Sequence, residues 1–180
     1  YAPREVGSEL ELLGVPLWDP LTFSILAYLG LQLAVLTYSP LEVRRGDIQV
    51  LDTIEIRGSA RVLVTGAVLM TILHVLIDPV TARGERWFFG ATYLYPQPGL
   101  YFGVPLSSFG GWLVVGLLAI GCYQRAERVL LRPTPLLRAG QFHLPFGGVV
   151  EPLVYLATVL FFIAITVWVD EPLLAAIGLF

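Results

Sequence analysis

Four stretches of this chain each run for 17 residues or more with no more than one charged side chain: Leu21 to Ser39, Val62 to Asp78, Leu106 to Gln124 and Val149 to Val169. Such runs constrain the fold class before anything else does. Lipid offers no partners to backbone N–H and C=O groups, so a crossing segment must bond within itself, and a helix of about 20 residues spans the roughly 30 Å of hydrocarbon. The composition agrees. Of the 180 residues 56% are apolar and 14% charged, with a mean hydropathy of +0.75, too apolar for a water-soluble domain of this size. The expectation is an all-α, polytopic helical membrane protein. It would form a single transmembrane helical domain over residues 1–180, with about four transmembrane helices plus interfacial segments.

The flanks of the spans refine this. Tyr1 to Asp19 carries Pro3, Gly7, Gly14 and Pro16 and reads as loop or interfacial structure, with Leu12, Leu13 and Trp18 as anchors. Within the first span Gly30 and Ala34, four residues apart, let another helix come close. Pro40 to Ala60 holds Glu42, Arg44, Arg45, Asp47, Asp52, Glu55 and Arg57 and belongs outside the hydrocarbon. Partial alternation through Ile48, Val50, Ile54 and Ile56 leaves a strand pair and an amphipathic turn both open. The second span reads as ending at Asp78, because Pro79 disfavours a helical conformation in the residue before it. Pro105 suits the first turn of the third span and Arg125 closes it. Asp170, Glu171 and Pro172 end the fourth, after which Leu173 to Phe180 either lies in the interface or opens a further helix.

All 11 basic residues are arginine, and the net charge is −3, so no broad positive field exists and nucleic acid is not an expected partner. If the spans alternate, Arg44, Arg45, Arg57, Arg61, Arg125, Arg128, Arg132 and Arg138 share one side, and Arg4, Arg83 and Arg86 the other. The positive-inside rule then places loops 40–61 and 125–147 in the cytoplasm, with a bacterial inner membrane as the expected location. The single cysteine, Cys122, excludes an intrachain disulfide and reads as a small buried hydrophobe. The chain starts at Tyr1 without a basic flank ahead of its first apolar run, so no signal peptide is expected and the sequence reads as part of a longer protein.

Ionisable side chains at membrane depth are expensive and are usually kept for a reason. Met70, His74 and Asp78 stand at i, i+4 and i+8 and share a helix face. His74 and Asp78 are spaced to hydrogen-bond, and in an apolar pocket such a pair can hold a proton for general acid chemistry. The alternative is that Asp78 ends its helix near water while His74 bonds a neighbouring helix. Glu151, in the first turn of the fourth span, belongs near the opposite face and is not expected to share a site with Asp78. His143 stands between aromatic residues in a loop and reads as interfacial. Between the second and third spans lies a dense aromatic set: Trp87, Phe88, Phe89, Tyr93, Tyr95, Tyr101, Phe102, Phe109 and Trp112. It is either an aromatic belt at one membrane face or a slot for a long flat apolar ligand, whose rings can stabilise a carbocation. No phosphate-cradling glycine loop, HExxH, CxxC, nucleophile elbow or histidine pair at metal spacing occurs, and two histidines are too few for a multi-histidine iron site. No metal site is therefore expected.

The order Ile77-Asp78-Pro79-Val80, then Trp87-Phe88-Phe89, then Tyr101-Phe102-Gly103-Val104-Pro105-Leu106-Ser107-Ser108-Phe109-Gly110-Gly111-Trp112 resembles the carotenoid biosynthesis membrane proteins that include bisanhydrobacterioruberin hydratase and γ-carotene 1′-hydratase. Leu13-Gly14-Val15-Pro16-Leu17 is similar to that family's short Gly-Val-Pro element ahead of a helix. The family pattern has an asparagine where this chain has Ser108 and an acid near the place of His74. The resemblance implies addition of water to the terminal double bond of an acyclic carotenoid end group, with no cofactor. Asp78 would be the proton donor assisted by His74, while Trp87, Phe88, Tyr93, Tyr101, Phe102, Ser108 and Trp112 would bind the substrate. Two other classes stay open. One is a non-catalytic carotenoid-binding or accessory subunit of a larger, for instance photosynthetic, membrane complex; the other is an unrelated four-helix protein such as a small transporter subunit.

Overall fold

The computed structural model describes residues 2–3, 11–12, 15–16, 18–44, 47–82, 93–130 and 147–179. Four long helices dominate: α1 (Trp18–Tyr38), α3 (Ala60–Ala82), α4 (Leu106–Leu130) and α5 (Gly147–Trp168). All four are long and apolar enough to cross a membrane. At 1.5 Å per residue, the 23 residues of α3 extend about 35 Å. Two short helices, α2 (Ile54–Arg57) and α6 (Pro172–Gly178), and three small antiparallel strand pairs complete the described chain.

The polytopic helical fold expected from the apolar runs is the one observed. Helices α1 and α3 form the central pair, with Leu31, Ala34, Val62, Ala67, Met70 and Leu73 in the core between them and α4. Their crossing is close because Gly30 faces Gly66: a Cβ on Gly30 would lie 2.6 Å from the Gly66 carbonyl oxygen. The small-residue step read from Gly30 and Ala34 is thus a packing feature within the chain. Tyr155 of α5 hooks onto α3 by donating its hydroxyl to the Leu69 carbonyl at 2.8 Å. The outward faces stay apolar, with Ile25, Val64, Val68, Val114, Leu118, Leu153, Leu160 and Val167 all exposed. Such surfaces suit lipid and would be unfavourable in water.

One end of the bundle is polar and built around Arg57. Strands β4 (Leu41–Arg44) and β5 (Asp47–Val50) pair antiparallel from Leu41↔Val50 to Arg44↔Asp47, which decides the open reading of this segment in favour of a strand pair followed by the short helix α2. Thr53 caps α2, and its last carbonyls are met from α4: Gln124 donates to the Arg57 and Ser59 carbonyls at 2.7 and 3.2 Å, and the Arg128 guanidinium donates to that of Gly58. Arg57 donates to Glu127 (2.6 Å), Asp52 (2.9 Å) and Gln32 (3.0 Å), joining α2 to α4 and α1. Burial opposes its charge, but the two carboxylates outweigh this and hold its pKa above the ordinary arginine value. Beside it Gln32, Asp52 and Glu151 line a cavity of about 110 Å³. Cys122, expected to be buried, is exposed on the apolar outer face of α4.

The second span does not stop at Asp78. Pro79 lies inside α3, which continues to Ala82. Proline in a helix interior costs about 3 kcal/mol, whereas burying one large aliphatic side chain contributes about 1.5–3 kcal/mol. Pro79, Val80 and Thr81 are all buried, with Val80 packed in a second cluster beside Leu76, Ile165, Val169 and Leu174. Packing therefore overrides the local preference, and Thr81 also bonds the Ile77 and Asp78 carbonyls at 2.9 and 3.1 Å. Helix α5 closes through Asp170 in the left-handed region (φ 60°), and the C-terminal apolar segment forms α6 against α5 and α3, as a further short helix.

Candidate functional site

At the end of the bundle away from Arg57, α4 enters behind a tight turn. Val104 N–H donates to the Tyr101 carbonyl at 2.7 Å, and the two residues between them, Phe102 (φ 48°) and Gly103 (φ 87°), are both left-handed. Two successive positive φ values make this a type I′ turn, which glycine accepts freely and phenylalanine does not. Gly99 N–H bonds the Gly103 carbonyl at 3.0 Å, and a Cβ on Gly99 would lie 2.2 Å from the Val104 carbonyl oxygen. This packed loop seats Val104 in the interior and starts α4 at Leu106. It thereby aims Ser108 and Trp112, four residues apart, at the last turns of α3.

Those turns present Asp78, whose side chain is 0% exposed. Its Oδ2 accepts from Trp112 Nε1 at 2.7 Å, from Ser108 Oγ at 3.2 Å and from the Tyr95 hydroxyl at 3.4 Å. Tyr95 and Ser108 also touch each other at 3.1 Å. Two hydroxyl protons serve three contacts. The shorter two describe a chain in which Tyr95 donates to Ser108 and Ser108 donates to Asp78.

His74 is 1% exposed and lies one turn before Asp78. The i, i+4 spacing does not produce a bond between them: His74 Nδ1 pairs with the Met70 carbonyl at 2.9 Å. A carbonyl only accepts, so Nδ1 carries a proton, and in the neutral ring Nε2 is an acceptor. Nε2 has no hydrogen-bond partner among the described residues. The imidazole stacks on Trp112 with centroids 3.7 Å apart, and Phe23 of α1 packs on Trp112 at 4.7 Å. The indole is thus packed by two rings with its N–H on Asp78.

The structure brings Asp78, His74, Ser108 and Trp112 together, and it removes the alternative in which Asp78 ends its helix near water. Tyr101 and Phe102 lie on the other side of α3, packed on the Leu76 and Val80 cluster, with Phe109 edge-on to Tyr101 at 5.4 Å. The Tyr101 hydroxyl is buried without a hydrogen-bond partner among the described residues. Trp87 and Phe88 lie outside the described residues, as does His143, and Tyr93 is described only as backbone in β6 (Tyr93–Leu94), paired with β1 (Ala2–Pro3). Glu151 sits at the Arg57 end, apart from Asp78.

A scan of family models matches residues 5–180 to the carotenoid biosynthesis protein model. The chain belongs to the carotenoid biosynthesis protein family. No curated protein and no solved structure matches it. For this carotenoid biosynthesis protein the site therefore rests on its own geometry. The sequence groups Tyr95 only with the aromatic set and does not single out Phe23, which packs on Trp112. Asp19, in the first turn of α1, is 6% exposed. A signal existed. Val15-Pro16 precedes α1 as Val104-Pro105 precedes α4, and counted from the two prolines Phe23 matches Trp112 and Asp19 matches Ser108.

Proposed function

We propose that this chain hydrates the terminal double bond of an acyclic carotenoid end group by acid catalysis. A fully buried carboxyl with three donor groups within reach near the end of a membrane-length helix, in a member of the carotenoid biosynthesis family, is the observation that carries the reading. Hydration needs a proton on one alkene carbon, a tertiary cation held briefly at the other, and water to capture it. Asp78 supplies the proton. His74 assists as a positioning residue: its stack on Trp112 keeps the indole N–H on the carboxyl. Trp112 is packed by His74 and Phe23, and Tyr101 and Phe102 pack on the Leu76 and Val80 cluster, so cation stabilisation is assigned to the aromatic residues Trp87, Phe88 and Tyr93, because aromatic faces attract a developing positive charge. The Arg57 end faces the cytoplasm by the positive-inside rule, and Asp78 lies toward the opposite end of the bundle.

The test is expression in a bacterial host that makes an acyclic carotenoid, followed by mass spectrometry of the pigments. The expected product is heavier by one water with the wild type and absent with Asp78→Asn. Full activity in Asp78→Asn removes Asp78 from the role. Unmodified carotenoid that copurifies with the wild-type protein replaces hydration with a binding or accessory role.

A further inference from the structure

Asp78 has no exposed surface, so a substrate cannot reach its oxygens in this arrangement. Whatever proton it handles must pass through the groups packed on it. Trp112 Nε1 is a donor only and cannot relay, because indole nitrogen has no second site for a proton. Hydroxyls can relay, since each accepts one proton while releasing another. Two stand in reach: Ser108 Oγ at 3.2 Å from Asp78 Oδ2, and the Tyr95 hydroxyl at 3.1 Å from Ser108 Oγ and, by a longer direct contact, 3.4 Å from Asp78 Oδ2. Tyr95 is only half-buried, and the three residues after it, Pro96, Gln97 and Pro98, are exposed. The line therefore runs from the interior of the bundle to the loop surface.

We infer that Ser108 and Tyr95 form the proton path of Asp78, with the Tyr95 hydroxyl as the group that meets the alkene. This rests on the hydratase reading for the identity of the acceptor, but not for the path itself. In the forward direction the Asp78 proton moves to Ser108 Oγ, the Ser108 proton moves to the Tyr95 oxygen, and the Tyr95 proton forms a C–H bond as the π bond breaks. Asp78 is left as the carboxylate and the substrate as a tertiary cation. Water adds to the cation through oxygen, and the surplus proton of that oxygen passes to Tyr95 while Tyr95 and Ser108 each hand theirs inward. Asp78 is then protonated again, and the net change is alkene plus water to alcohol. The return step requires Tyr95 to donate to Ser108 and Ser108 to Asp78; the Ser108–Asp78 contact has that direction, and the Tyr95–Ser108 contact allows it.

The measurement is infrared spectroscopy of the purified full chain in lipid nanodiscs, following the Asp78 carboxyl band, assigned by its loss in Asp78→Asn, on transfer to D₂O. Tyr95→Phe is expected to slow exchange at least tenfold, and Ser108→Ala, which leaves only the longer direct contact of Tyr95 with Asp78 at 3.4 Å, to slow it by a smaller factor. Ser108→Thr, which keeps a hydroxyl, should restore the wild-type rate, and Tyr123→Phe, whose hydroxyl bonds Ser24 on the bundle surface, should match it. Exchange in Tyr95→Phe as fast as in the wild type overturns the path, as does the absence of an Asp78 carboxyl band at every pH at which the protein stays folded. Should the exchange pattern appear while the wild type hydrates no acyclic carotenoid, the path stands and the assigned reaction falls.

Discussion

At the scale of single residues, the site is governed by what a buried carboxyl requires. Asp78 sits in the interior of a bundle whose other buried side chains are mainly aliphatic, and each donor on Oδ2 offsets part of its desolvation. Trp112→Phe removes one of them, keeping a smaller aromatic ring against His74 and Phe23 while losing the N–H and part of the indole's packing. Losing a hydrogen bond to a carboxyl costs about 1.5–3 kcal/mol where the acceptor is charged. A lowered thermal midpoint in detergent and at least tenfold slower hydration are expected. A variant unchanged in both would show that the indole contributes only its ring. The sequence made Asp78 and His74 visible because charge is rare in these spans. It did not show their partners, because spacing along one helix favoured a bond between the two, whereas His74 turned back to Met70 and Asp78 found its donors on another helix and a loop.

Among the elements, two devices set the geometry. The first is the glycine crossing of α1 and α3. Gly30→Leu would drive a side chain into the Gly66 carbonyl and separate the central pair; overpacking of this kind typically costs about 1–3 kcal/mol. Reduced stability in a denaturant or detergent titration is expected, and an unchanged midpoint would mean that the helices do not meet there. The second is the loop ahead of α4. In Gly99→Ala the added methyl meets the Val104 carbonyl, so the entry of α4 must shift and take Ser108 and Trp112 with it. Activity should fall while circular dichroism still reports the full helix content; wild-type turnover would contradict the role given to this turn. Helix existence was legible from apolar length alone. The end of α3 was not, because a rule about the residue before proline is local, and the burial of Val80 that outweighs it comes from the cluster it forms with residues of α5 and α6.

For the whole molecule, the two ends of the bundle do different work. The arginine end is a structural knot in which Arg57 ties the hairpin segment to α1 and α4, and the far end holds the acid. Arg57→Ala leaves Glu127 and Asp52 without their cation, so it should lower stability by about 1–3 kcal/mol, as losing part-buried hydrogen bonds between charged groups does, and leave the pigment chemistry of the surviving folded protein unchanged. Loss of turnover per folded molecule would contradict that separation. The account depends most on the claim that water is added to a carotenoid alkene. The direct measurement is incubation of the purified protein in liposomes carrying an acyclic carotenoid in ¹⁸O-labelled water, with mass spectrometry of the extracted pigment. Hydration predicts a product heavier by one labelled water, formed by the wild type and not by Asp78→Asn. Pigment of unchanged mass, or an added oxygen without the label, would contradict it.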